Sequence, residues 1–181
     1  AKLLMYQNQD TRRERQQYLH RNGVSQQHAI STSGGSINNN YFLSAGFDRS
    51  LDGFVGNKSQ RITLNASNEY SWFKNRLEMS TSVAYSESKV KYNYQNEFVA
   101  YPYLRFFDET GAPIPMPKDI RQLYKDTIVP KYEQLRNWDY NQWQEVHASD
   151  NTSRIIDYRA STGLKYKIAQ GFTFNLLYQF N

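Results

Sequence analysis

The chain has 181 residues, with 22 Lys and Arg against 17 Asp and Glu for a net charge of +5, and no cysteine. That length accommodates one ordinary domain or two small ones, and zero cysteine excludes disulfide scaffolds, thiolate zinc sites, iron–sulfur centres and cysteine nucleophiles. A mean hydropathy of −0.82, with no apolar run near the roughly 20 residues of a spanning helix, excludes a helical membrane protein, yet aromatic residues make up 15% of the chain, too many for ordinary disorder.

The start, Ala1 to Gln17, is polar and basic, with Leu3, Leu4 and Met5 its apolar run, which is not the pattern of a secretory signal. Thr11-Arg12-Arg13-Glu14-Arg15 near Tyr18 and His20 combines cations with aromatics, as a phosphate-binding surface does. The same charge is ordinary on an exposed loop, and no nucleic-acid partner is expected. Period-two alternation then marks strands. A weak run covers 24–33, with Ile30 amid Ser, Gln and Thr, and another covers 41–47, where Tyr41, Leu43, Ala45 and Phe47 alternate with Phe42, Ser44 and Gly46. The clearest is 61–70, with Ile62, Leu64, Ala66 and Tyr70 against Thr63, Asn65, Ser67 and Glu69. Residues 76–86 set Leu77, Met79, Thr81, Val83 and Tyr85 against Glu78, Ser80, Ser82, Ala84 and Ser86. After the long stretch 87–157, alternation returns from Tyr158 to Ile168, opposing Arg159, Ser161, Gly163, Lys165 and Lys167, and again over 172–180.

The expected fold is all-β and antiparallel. Strands of about 9–11 residues match a tilted crossing of a bilayer and exceed the roughly 5–6 usual in globular sheets. A face of Ser, Thr, Asn, Gly and Gln with scattered charges suits a water-filled lumen, and the apolar face suits lipid. Short and long connections alternate, as in outer-membrane barrels, where the long loops are extracellular. Aromatics collect at both ends of the strands: Tyr41, Tyr70, Trp72, Phe73, Tyr166 and Phe172 at the short-turn end, Phe47, Tyr85, Tyr158 and Phe180 at the other. Such girdles belong at headgroup depth. The competing reading is a soluble antiparallel sheet with one face on a core. About six strands do not close a barrel whose smallest form has about eight, so these are expected to be an internal stretch of a longer chain.

Arg21-Asn22-Gly23 followed by Gln26 to Gly35 resembles the R-x-G … h-n-l-s-l-s-G-G passage of SusC/RagA-type TonB-dependent outer-membrane transporters. Residues 40–47, a glycine-bearing loop and Arg61-Ile62-Thr63-Leu64-Asn65 are similar to the next segment of that family. Tyr85-Ser86-Glu87-Ser88, Tyr101-Pro102-Tyr103 with Asp108-Glu109-Thr110-Gly111, and Asp157-Tyr158-Arg159 continue the order. The resemblance covers most of 21–180 and is best over 21–88. Ala29 and Thr32 depart from it. It implies a plugged barrel of about 22 strands, in which 1–23 is an extracellular loop segment, 24–86 holds four strands, 87–157 is a long extracellular loop and 158–181 holds two strands. It also implies import of a nutrient, glycan or peptide, across the bacterial outer membrane, driven by TonB through a part of the chain not present here. A SusD-like surface lipoprotein is the implied partner, with such pairs able to dimerise. A surface structural or adhesive β protein without transport is the alternative.

No enzyme activity, catalytic residue, metal or cofactor is expected. His20, His28 and His147 lack ligand spacing. Asp108, Glu109, Asp119 and Asp126 read as solvated loop acids, not as a hydrolytic pair. Ser33-Gly34-Gly35 and residues 53–56 lack the spacing of phosphate loops. The long loop is rich in aromatics (Tyr92, Tyr94, Phe98, Tyr101, Tyr103, Phe106, Phe107), then carries Pro113-Ile114-Pro115-Met116-Pro117, a short helix expected over 119–125, and Trp138, Tyr140 and Trp143. Tyr101, Tyr103, Trp138, Tyr140 and Trp143 are the candidate contacts to substrate or partner, against a reading in which they pack the loop on itself. Glu69, Glu78, Arg159, Lys165 and Lys167 are the candidate lumen-facing charges.

Overall fold

The computed structural model describes residues 6, 9–93 and 101–181; Lys2, Leu3, Leu4, Met5, Tyr94 and Phe98 lie outside the described residues. The chain forms two compact units, a sheet (Val24–Leu51, Lys58–Val90, Thr152–Asn181) and a loop unit (Ala1–Gly23, Asp52–Asn57, Lys91–Asn151).

The sheet is a mostly antiparallel meander of six strands in chain order: β1 Val24–Gly35, β2 Asn39–Leu51, β3 Lys58–Trp72, β4 Leu77–Lys91, β5 Thr152–Ala169 and β6 Phe172–Phe180. The strands outrun the alternation that marks them. β2 was expected over 41–47 and β4 over 76–86, and β5 starts six residues before Tyr158. Past Phe47, past Tyr85 and ahead of Tyr158 the alternation breaks (Arg49 with Ser50, Glu87 with Ser88, Arg154 followed by the consecutive Ile155 and Ile156), so period two fades from the sequence. Backbone pairing needs no apolar face and continues. The turns are chemically apt. Gly171 takes φ +87° in the β5–β6 turn, where only glycine is unstrained. Gly34 lies under the ring of Tyr41, its partner in register; a Cβ there would meet the Tyr41 hydroxyl at 2.6 Å.

Register sorts the side chains. Ile30, Ala45 and Leu64 lie side by side across β1–β3, as do Thr32, Leu43 and Ala66, while in β5 and β6 Leu164 faces Leu176 and Tyr166 faces Phe174. This apolar face is uncovered within the sheet. Leu64 is 47% exposed, Val83 41% and Phe174 51%, and Leu164 is half-buried. Among the described residues every buried hydrophobic side chain, Leu19, Phe106, Met116 and Val146, belongs to the loop unit. Phe42 and Leu177 are apolar exceptions on the other, polar face, and both are exposed.

The loop unit is built around that small core, with Tyr18, Phe54, Phe107, Tyr140 and Trp143 packed on it. Helix α1 (Thr11–Tyr18) is capped by Asp10, whose carboxylate accepts from Arg12 N. Helix α2 (Gln122–Ile128) starts three residues after the expected 119, because Asp119 holds φ +59° and Arg121 is extended. Helix α3 (Gln142–Ala148) begins at the Asn141 cap. Buried polar side chains join segments far apart in sequence. The Thr11 hydroxyl donates to Tyr101 O at 2.5 Å and accepts from Leu104 N at 2.7 Å. Asn141 donates to the carbonyls of Phe106 and Ile114, both at 2.9 Å. Asn93 donates to Val146 O at 3.2 Å and accepts from Asn151 N at 3.1 Å, and the Lys125 ammonium donates to Trp138 O at 3.0 Å. Each satisfies backbone groups that a loop would otherwise bury unpaired. No helix among the described residues is long and apolar enough to cross a membrane; that has no bearing on crossing by strands.

Candidate functional site

The polar face of the sheet carries a set of cross-strand pairs. Asp48 of β2 meets Arg61 of β3 at 2.7 Å, and the Asn65 amide donates to the Ser44 hydroxyl at 3.2 Å. The hydroxyls of Ser82 and Ser161 join β4 to β5 at 2.7 Å. Glu78 sits between two ammonium groups, Lys165 at 3.1 Å and Lys167 at 3.0 Å, and Lys167 also donates to Asn75 O at 3.1 Å. Glu69, Glu78 and Lys165, with Ser80 and Asn175, line one concavity of about 450 Å³. Four of the five candidate charges therefore come together around Glu78, and Arg159 stands exposed further along β5. Two carboxylates and two ammoniums, with an amide and a hydroxyl, make a nearly neutral, hydrogen-bonding surface. It can hold polar or zwitterionic matter. Asp48, Arg61, Ser82 and Ser161 were not singled out in the sequence: alternation assigns their face, but only register mates them.

In the loop unit the five candidate aromatics divide. Tyr101 and Tyr103 are 63% and 54% exposed, with Tyr103 against Tyr6 at 5.4 Å between ring centroids, and Trp138 also keeps surface to solvent. Tyr140 and Trp143 pack on the core. Lys118 lies over the Tyr140 ring at 4.2 Å, and Trp143 meets Phe107 at 5.2 Å and stacks on His147 at 4.2 Å. His20 lies against Phe54 at 4.7 Å, and His28 faces Phe47 in register.

Of the four loop acids, Asp108 and Asp126 have local partners. Asp126 accepts from the Gln122 amide at 3.0 Å. Asp108 accepts from the Thr110 hydroxyl at 2.7 Å, Thr110 N at 2.8 Å and Ala112 N at 2.9 Å. These bonds, the Thr110 hydroxyl first, hold its carboxyl below the ordinary 3.8. With the folded value depressed, the support this group lends its turn is complete above the ordinary value and is lost as pH falls through the depressed one. Amide shifts of Thr110 and Ala112 are therefore expected to stay constant from neutral pH down to about 4 and to move only below it; Asp108→Asn abolishes that movement.

No protein-family model and no curated protein sequence matches the chain.

Proposed function

We propose that the sheet is part of the wall of an outer-membrane β-barrel, in a transporter of SusC/RagA type that imports a nutrient, glycan or peptide. The supporting observation is the uncovered apolar face with aromatic side chains at both ends. Burying a Leu or Phe side chain is worth about 1.5–3 kcal/mol, so a row of them bare on a six-stranded sheet calls for a nonaqueous neighbour. From Ile62 to Trp72 the face runs ten residues, about 34 Å along the strand. At a tilt of 35–45° that is about 24–28 Å of height, close to the roughly 25 Å apolar band of such barrels. Tyr70 and Trp72, with rings 4.2 Å apart, mark one rim, and Tyr158 and Phe180, 6.2 Å apart, mark the other.

In this reading the polar face looks into water. Glu69, Glu78, Arg159, Lys165 and Lys167 set the field along the import path, and the exposed loop aromatics Tyr101, Tyr103 and Trp138 offer contact to cargo or to a SusD-like lipoprotein. The edge strands β1 and β6 pair with further strands of a barrel of about 22, since bare edges in hydrocarbon cost several kcal/mol per unpaired group. Transport breaks no bond, so the residues act by shape and charge alone, with energy supplied through TonB. The test is solvent dependence of the full protein. It is expected to be monodisperse only in detergent or lipid; a monodisperse protein in plain buffer refutes the reading and favours a surface β protein whose apolar face is covered by protein.

A further inference from the structure

The apolar face is not uniform. Large and small side chains alternate in register, Ile30 beside Ala45 and Leu43 beside Ala66, and the small ones leave an open groove of about 440 Å³ bounded also by Leu64 and Val83. Four residues along β2 from Ala45, about 13 Å, the same face carries Arg49. Gln26 and Gln60 stand directly opposite it on either side, and Lys58 lies two pairs further out on the same face, opposite Leu51. Arg49 and Lys58 are exposed, and neither forms an ion pair among the described residues. The adjacent Asp48 points to the other face and is taken by Arg61. Further across, Glu87 is taken by Arg154 at 2.7 Å. The rim above the groove is thus left cationic, with two amide side chains beside the cations that can also donate to an oxyanion.

We propose that this face holds an acyl lipid whose phosphate headgroup is net anionic, the chain lying in the groove and the phosphate meeting Arg49 and Lys58. The inference rests on the reading that the face meets lipid. The groove supplies contact for a methylene chain, and the guanidinium offers the forked donors that suit phosphate. A neutral headgroup would leave both cations uncompensated.

The full protein, reconstituted in phosphatidylcholine nanodiscs containing a minority of phosphatidic acid, is extracted mildly, and the lipids retained are counted by native mass spectrometry. Phosphatidic acid is expected to be enriched over phosphatidylcholine. Basic residues at a charged membrane surface act at about fivefold each, so Arg49→Gln with Lys58→Gln lowers that enrichment by about 25-fold. Ala66→Phe, which fills the groove and keeps both cations, lowers it as well. Inorganic phosphate at millimolar concentration does not compete. Equal enrichment in wild type and the double variant, or displacement by inorganic phosphate alone, overturns the lipid site while insertion stands. Failure of the wild type to enter the bilayer at all overturns the membrane reading itself, and the lipid site with it.

Discussion

Leu64→Arg is expected to destabilise the sheet in bilayers by about 2–4 kcal/mol, the cost of a basic residue near the middle of a lipid face. Thr63→Arg, one position away on β3, is expected to cost markedly less, because that half-buried side chain lies on the polar face beside Gly46. Leu64 lies mid-strand on β3, opposite Ala45 of β2 by register, and lines the groove together with Val83 of β4. A third variant separates lipid from a protein core, because Leu64→Arg is costly in both. Leu64→Trp enlarges the side chain. In a close-packed interior that overpacking costs about 1–3 kcal/mol, whereas fluid acyl chains rearrange around it. Reversible urea unfolding from lipid vesicles, followed by tryptophan emission or circular dichroism, measures all three. A large penalty for Leu64→Trp, or equal penalties at 63 and 64, would reject lipid on that face.

The second large effect belongs to the loop unit. Asn141→Ala is expected to weaken it by about 2–4 kcal/mol. The amide donates to Phe106 O and Ile114 O, while its oxygen accepts from Trp143 N at 3.0 Å and Gln144 N at 3.2 Å as the cap of α3. Loss of a cap alone costs about 0.5–2 kcal/mol, and leaving carbonyls unpaired in a buried site adds about 1–3 kcal/mol. Asn141→Ser keeps a capping oxygen but cannot span both carbonyls, so it falls between. Hydrogen exchange reports the change: amides of Trp143 and Gln144 lose protection, and those of β2 and β3 keep it. Uniform loss across the sheet would mean that the two units unfold together.

Much of the sheet was legible because its two faces differ in polarity. Residues 61–70, 76–86 and 172–180 alternate where one side is apolar, and the strands found there follow that rhythm. Where that contrast is lost, as from Asp48 to Leu51 and from Ser86 to Lys91, the rhythm vanishes although the strands continue. The loop unit was less legible for a different reason. Thr11 reaches a carbonyl 90 positions away, and Asn93 one 53 away; a buried Asn or Thr carries no mark that separates it from an exposed one. Helix α1 is polar all round, so no apolar stripe announced it, and its Asp10 cap was the one usable sign. Of the candidate charges, parity placed Glu78, Lys165 and Lys167 on one face, but their convergence depends on how β4 and β5 are mated.

Alternation tells a strand which side to turn, not how far along to sit. A slide by two positions returns each side chain to the same face, so hydrophobicity is nearly blind to it. The contacts that notice are polar: after such a slide Arg61 loses Asp48, Asn65 loses Ser44, and Ser82 loses Ser161. Individually weak, together they act as a vernier that rejects near-miss alignments, and the polar side of the sheet thereby dictates the geometry of the apolar one.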